Sequence, residues 1–203
     1  MKRRTLDLIF ATGGLVAAGL ILVLGLVLQN QADFADSYVH DQLAAQKIVF
    51  TPTKALGPDT QAACLKANAG QALTSGKQAE CYANSYIRVH LTDVNQGKTY
   101  AETSGAQRAV ESQLTALSDQ TGAPAEQLRA QNDELTAKVQ TLFRGETLRG
   151  LLLTSYGFSI FGDRAQTAAY VCYALALVLF LAAIAGYVHA ATRRADHVIL
   201  TQE

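Results

Sequence analysis

The chain has little proline and no tryptophan, and it carries no excess of charge of either sign. Its three prolines are Pro52, Pro58 and Pro124, a scarcity that suits long helices because proline breaks a helix interior. Seventeen Lys and Arg balance seventeen Asp and Glu. A nucleic-acid-binding protein usually carries a basic excess, so we expect no nucleic-acid partner.

Two long runs lack charge altogether. Leu8–Leu28 contains 21 uncharged residues, which as a helix is about 30 Å long, the thickness of a hydrocarbon core. A second uncharged run extends from Ala165 to Thr192. We predict transmembrane helices over residues 8–28 and 165–191, and therefore membrane lipid as a partner.

Basic residues flank both runs and predict the orientation. They are Lys2, Arg3 and Arg4 before the first run, and Arg193 and Arg194 after the second. Positively charged flanks stay on the cytoplasmic side. We therefore expect a plasma-membrane protein with cytoplasmic tails at residues 1–7 and 192–203, and with residues 29–164 outside the cytoplasm.

The alternative for the N-terminus is a cleaved signal peptide, whose basic start it shares. The apolar run is longer than a signal peptide needs. The residues after it, Gln29 to Asp33, contain no small-x-small cleavage site. The first run is therefore better interpreted as a retained span.

Small residues recur four apart in both runs, as expected where helix backbones approach closely in lipid. The predicted packing residues are Gly13, Gly14, Ala17, Ala18, Ala182, Gly186 and Ala190. Two uses are open: the spans pack on each other, or one row docks another membrane protein.

Residues 29–145 predict a mostly helical domain outside the cytoplasm, so the fold class is an all-α membrane protein with two spans flanking that domain. Cys64 and Cys81 lie there on neighbouring predicted helices, and an oxidising compartment favours a disulfide between them. The alternative is two free buried thiols. Cys172 lies inside the second span and is expected to pack as a small apolar residue.

Residues 146–164 form the most distinctive segment. We predict an amphipathic stretch at the outer membrane surface. Its expected interfacial residues are Leu148, Leu151, Leu152, Tyr156, Phe158 and Phe161. The alternative is a core helix of the external domain.

No pattern indicates catalysis, so we predict no catalytic, cofactor-binding or metal-binding residues and no cofactor. The two external histidines, His40 and His90, are not spaced as metal ligands and are expected to be solvated surface residues. Phosphate-binding loops and acyl-transfer motifs are missing.

Three stretches carry a resemblance: residues 78–91 (QAECYANSYIRVHL), 97–102 (GKTYAE) and 143–153 (FRGETLRGLLL). With the two spans they resemble a largely uncharacterised family of two-span membrane proteins from actinobacteria. Many members are labelled automatically as aromatic ring-opening dioxygenases, but this sequence shows no iron-ligand set for that reaction. The resemblance implies an accessory subunit, with the actinobacterial respiratory supercomplex as the candidate assembly.

Two functions follow as expectations. The first is a non-enzymatic accessory, structural or assembly subunit of a larger plasma-membrane complex, with an integral-membrane protein as partner. The second is an extracytoplasmic ligand-binding sensor module, which the short cytoplasmic tails disfavour because they hold no output domain. An enzyme is the weakest reading.

Overall fold

A computed structural model describes residues 3–57, 62–117 and 121–192, and every helix or strand assigned in those ranges is a helix. The elements are α1 (Arg3–Ala45), a 3-10 turn (Thr53–Ala55), α2 (Ala63–Ala67), α3 (Gly76–Cys81), a π-helix (Tyr82–Ile87), α4 (Arg88–Val94), α5 (Tyr100–Ala116) and α6 (Ala123–Thr192). The predicted all-α class is confirmed for the described residues.

Two of these helices, α1 and α6, are long and apolar enough to cross a membrane. In their most apolar stretches only 17% and 11% of residues are buried, respectively. A core helix of a soluble protein would be mostly buried, whereas a span leaves its apolar side chains to lipid. The two helices therefore fit a plasma-membrane protein.

The chain divides into two compact units. We call Met1–Ser37 with Ile160–Glu203 the paired-helix unit, and Tyr38–Ser159 the disulfide unit. The paired-helix unit holds the uncharged runs, and the disulfide unit holds Cys64, Cys81 and the short helices of the described residues.

In the paired-helix unit α1 and α6 run antiparallel at close range. A Cβ placed on Gly14 would lie 3.8 Å from the Ala183 Cβ, and one placed on Gly162 would lie 2.9 Å from the Ala35 Cβ. Moving 21 residues forward along α1 thus moves the contact 21 residues back along α6. The register is constant over the whole pair.

Small residues at an interval of seven make this approach possible. The buried positions are Ala11, Ala18, Gly25 and Ala32 on α1, and Gly162, Ala169, Ala176, Ala183 and Ala190 on α6. A seven-residue repeat keeps one stripe facing the partner helix, as in a coiled coil. With alanine or glycine in that stripe, the two backbones come unusually close.

Two polar contacts also link α1 and α6 along this stripe of small residues, which we call the helix seam. The hydroxyls of Thr12 and Tyr187 lie 2.9 Å apart, and the Tyr173 hydroxyl donates to the Gly25 carbonyl at 3.2 Å. Polar contacts between helices in lipid contribute about 0.6–2 kcal/mol each.

The disulfide unit is built around one apolar cluster. After α1 the chain turns at Lys47, which has a positive φ of 54°, and Phe50 then pairs with the segment before α3. The Phe50 amide donates to the Gln71 carbonyl at 2.9 Å, and the Leu73 amide donates to the Ile48 carbonyl at 2.8 Å. The largest fully buried side chains of the cluster are Phe50, Leu65 and Leu73.

Capping boxes set the start of two helices. Ser75 accepts from the Gln78 amide at the start of α3, and Thr99 accepts from the Glu102 amide at the start of α5. In both boxes the backbone amide of the cap residue also donates to the side-chain oxygen three residues further on, so two amide groups gain hydrogen-bond acceptors. Helix α6 begins at Ala123, beside the Pro124 that predicts a helix start.

The sequence also predicts a short helix from about residue 59 to residue 68, with Asp59 as its cap. The structure has α2 over Ala63–Ala67 instead, and Asp59 lies outside the described residues. Residues 146–164, predicted to be an amphipathic segment, lie within α6, which continues through them without interruption.

Candidate functional site

A disulfide ties the short helices together. Cys64 on α2 and Cys81 at the end of α3 are bonded, with their Cα atoms 6.0 Å apart, as the sequence predicts. Cys81 is buried within the apolar cluster, and Cys64 is half-buried at its edge. Cys172, in the paired-helix unit, is free and half-buried.

Aromatic rings run in series from the core to the surface along the π-helix. The ring of Tyr82 stands perpendicular to Phe50 at 5.3 Å and stacks on Tyr86 at 4.8 Å, and His90 lies 4.3 Å beyond Tyr86. Burial, and then the nearby Tyr86, raise the pKa of the Tyr82 phenol. The Tyr82 phenol is therefore harder to deprotonate than a solvated tyrosine.

Arg149 connects α6 to this π-helix. Its guanidinium donates to the Asn84 side-chain oxygen at 3.2 Å and to the Glu146 carboxylate at 3.1 Å. Gly145 on α6 also allows α4 to pack closely, because a Cβ at that position would overlap the Leu91 side chain. Arg149 therefore acts as a structural clamp.

A groove lies between the end of α1 and the middle of α6 in the disulfide unit. It has a volume of about 380 Å³, and we call it the Tyr38 groove. Its lining residues are Tyr38, Val39, Gln42, Leu43, Gln46, Leu148, Leu151, Leu152, Thr154, Ser155 and Phe158. None of them is charged.

Large apolar side chains at the Tyr38 groove remain open to solvent. Leu151 is 61% exposed, Tyr38 50%, and Leu148 and Phe158 38% each. The rings of Tyr38 and Phe158 meet edge to face at 5.8 Å, which fixes one end of the groove.

Most residues predicted to be interfacial belong to this region. Leu148, Leu151, Leu152 and Phe158 line the Tyr38 groove, although Leu152 also reaches the core and is 2% exposed. Tyr156 is half-buried on another face of α6, and Phe161 belongs to the paired-helix unit, where it is 75% exposed. Their location at a membrane surface stays a prediction.

Only some of the predicted packing residues lie between α1 and α6. Gly14, Ala18, Gly186 and Ala190 lie in the helix seam, whereas Gly13 and Ala182 are exposed and Ala17 is half-buried. The four-residue spacing missed Ala11, Gly25, Ala169 and Ala176. Their seven-residue interval is visible in the sequence and would have identified them.

The described ranges contain no group of three or more His, Cys, Asp or Glu side chains able to hold a metal. His40 lies 3.2 Å from Asp41 on an exposed stretch of α1, and His90 caps the aromatic row. Neither histidine converges with further ligands in the described part of the chain.

No protein-family model matches this sequence, and neither the curated proteins nor the solved structures contain a match to it. The resemblance to the actinobacterial two-span family therefore rests on the sequence stretches alone.

Proposed function

We propose that this protein is a non-enzymatic accessory, structural or assembly subunit of a larger plasma-membrane complex, and that the Tyr38 groove receives the partner. Its two spans anchor the chain with both termini in the cytoplasm and residues 29–164 outside. The observation that carries the proposal is the set of exposed apolar side chains at that groove.

Exposed apolar side chains that meet around a concave surface are typical of a binding site rather than of ordinary surface. Leu151 and Tyr38 form apolar walls of this groove. Because no lining residue is charged, an apolar segment can enter the groove without desolvating an ion. A buried core residue, Leu152, forms its floor.

The rim supplies hydrogen-bonding groups. The hydroxyls of Thr154 and Ser155 donate to the carbonyls of Gly150 and Leu151, so each hydroxyl oxygen can still accept a hydrogen bond from a partner. An apolar floor with a polar, uncharged rim suits an amphipathic helix laid between α1 and α6. We assign the occupant to an integral-membrane partner, through a helix outside its own spans.

Site-specific photocrosslinking in cells tests this. A photoreactive phenylalanine analogue in place of Leu151 should crosslink to one membrane protein, whereas the same analogue in place of Gln113, an exposed residue of α5, should not. Leu151→Glu should abolish co-purification of that protein in mild detergent, and Gln113→Glu should leave it intact. Adducts only with a second copy of this chain, or equal adducts from both positions, would contradict the proposal.

The respiratory supercomplex is the candidate assembly because of the family resemblance. Mass spectrometry of the proteins that co-purify in mild detergent identifies the assembly directly. Recovery of respiratory oxidase subunits would support this assignment, and a different complex would replace it without affecting the role of the groove.

A second function, the ligand-binding sensor, is favoured by one feature. Beside the Cys64–Cys81 bond lies a groove of about 510 Å³ whose walls include the polar side chains of Asn68, Lys77 and Asn84. That volume is in the range of small-molecule sites. Thermal-shift screening of the full-length protein should reveal a stabilising ligand if this function is correct, and a uniformly flat screen would eliminate it.

A further inference from the structure

The groove beside the Cys64–Cys81 bond, which we call the disulfide groove, is lined by charges of both signs. Lys77 and Glu80, three residues apart on α3, both line it. In the part of the chain that the structure describes, neither side chain forms an ion pair, with the other or with a third residue. The ammonium and the carboxylate are therefore both available to a ligand.

Asn84, on the π-helix, adds a hydrogen-bond donor. The Arg149 guanidinium, which can only donate, fixes the orientation of the Asn84 amide by donating to its Oδ1 at 3.2 Å. The Nδ2 group of that amide has no hydrogen-bond partner among the described residues. It is also accessible, because Arg149 Nε is the one buried side-chain nitrogen or oxygen without a partner in those residues. Asn84 lines the groove and therefore offers a ligand this donor.

The other two amide side chains of the groove are already paired. Asn68 donates to the Cys64 carbonyl at 2.8 Å and accepts from the Gln78 side chain at 3.2 Å. Gln78 also accepts from the Ser75 amide in the capping box of α3. These contacts hold the wall of the groove in place, which reduces the cost of ordering it around a ligand.

The rest of the lining includes an apolar surface. Ala67 contributes a methyl group, Cys64 and Cys81 are joined through their sulfur atoms, and Tyr156 adds a half-buried aromatic residue. A few polar groups beside an apolar surface are typical of small-molecule sites, and the volume of about 510 Å³ is in their range. We therefore expect a ligand that joins a polar end to a short apolar group.

The two charges select the polar end of the ligand. A purely anionic ligand would meet the Glu80 carboxylate, and a purely cationic one would meet the Lys77 ammonium, so each would carry a like-charge cost. Side chains three residues apart on a helix have Cβ atoms about 5–6 Å apart. A zwitterion with both charged groups attached to one carbon atom can contact both side chains at once.

We propose that the disulfide groove binds a zwitterionic α-amino acid with an apolar side chain. The ligand carboxylate pairs with the Lys77 ammonium and with Asn84 Nδ2, and the ligand ammonium pairs with the Glu80 carboxylate. The ligand side chain lies on the apolar surface beside Tyr156. This inference rests on the second proposed function, the sensor, and names its ligand class; it is independent of the Tyr38 groove.

Direct binding to the full-length protein in mild detergent tests the ligand class. The probes are tritiated leucine, valine, methionine and phenylalanine, followed by scintillation proximity. We expect saturable binding of at least one of them. The N-acetyl derivative of that amino acid lacks the ammonium, and its amide lacks the carboxylate, while both keep the side chain. Each should compete at least about fivefold more weakly than the unlabelled amino acid, because each leaves one charge of the groove unpaired.

Substitutions in the groove test the site. Lys77→Gln and Glu80→Gln should each weaken binding about two- to fivefold, as expected for partly exposed ion pairs, and together about tenfold. Asn84→Asp keeps the acceptor for Arg149 but removes the Nδ2 donor, and should weaken binding as well. Lys66→Gln is the control, because Lys66 is exposed on α2 and does not line the groove. Circular dichroism confirms helical content in every variant.

Three results would overturn the inference. The first is no saturable binding of any of the four amino acids; a different compound that raises the midpoint in the thermal-shift screen would then leave the sensor function standing. The second is equal competition by the N-acetyl derivative or the amide, which would show that the zwitterion is not recognised. The third is equal affinity in the double variant Lys77→Gln, Glu80→Gln and in the unmodified protein, which would place the amino acid on another surface.

Discussion

Gly186 on α6 lies against Ala11 on α1 so closely that a Cβ at Gly186 would be 3.2 Å from the Ala11 Cβ. The same antiparallel register continues at Gly14 and Ala183, about one turn later on α1 and one turn earlier on α6. The paired-helix unit therefore depends on small side chains at defined positions rather than on apolar character alone.

Ala183→Leu should destabilise the helix pair. Ala183 is 3% exposed and faces Gly14, so a larger side chain overpacks the seam, at an expected cost of about 1–3 kcal/mol. Ala182→Leu is the matched control, because Ala182 is the exposed neighbour of Ala183. Thermal unfolding in detergent, followed by circular dichroism, measures both. Equal loss of stability in the two variants would contradict the register.

This seam shows what the sequence could and could not predict. The two spans and the all-helical class follow from local patterns, since a run of 21 uncharged residues has few alternatives in a stable protein. Which small residues meet depends on the register between segments more than 120 residues apart in sequence. The four-residue rows include Gly13 and Ala182, which are exposed and do not take part in the contact between α1 and α6, so their use in docking another membrane protein stays a prediction.

The Tyr38 groove likewise depends on packing that the sequence does not predict. Leu151 and Phe158 could be identified as distinctive from their apolar spacing alone. That Tyr38 completes the same groove depends on how the end of α1 packs on α6, which no local pattern encodes. The start of α5, in contrast, can be identified from the sequence. The apolar periodicity alone begins the helix at Thr103, but Thr99 and Glu102 form a capping box, and α5 begins at Tyr100.

Removing the disulfide should weaken the disulfide unit. The Cys64–Cys81 bond closes a loop with a sequence separation of 17, for which loss of the crosslink costs about 3 kcal/mol in the chain-entropy model. Cys64→Ser with Cys81→Ser should therefore lower the denaturation midpoint, as should reduction of the unmodified protein. Cys172→Ser is the control and should change neither the midpoint nor its response to reductant. An unchanged midpoint in the double variant would refute a stabilising bond.

Phe50→Ala should be among the most damaging core substitutions. Phe50 is 1% exposed and its ring meets Tyr82 at a right angle, so truncation leaves a large cavity and costs about 3–5 kcal/mol. Its neighbour Val49 is 56% exposed, and Val49→Ala should cost well under about 1 kcal/mol. Chemical denaturation of the full chain compares the two. Near-ultraviolet circular dichroism should also change only in Phe50→Ala, because Tyr82 loses its packed environment.

Acid should loosen the start of α5 before the rest of that helix. Hydrogen bonding from the Thr99 backbone, and then from its side chain, lowers the pKa of Glu102 below its ordinary value of 4.5. A carboxyl whose pKa is lowered on folding contributes stability above the unfolded pKa and loses it as the pH falls through the folded pKa. Amide exchange at residues 100–103 should therefore accelerate as the pH is lowered below about 4.5, after correction for the intrinsic exchange rate. In Glu102→Gln, which keeps a capping side chain without the ionisation, that pH dependence should disappear. If amide exchange at these residues accelerates with falling pH equally in Glu102→Gln and in the unmodified protein, protonation of another group is responsible.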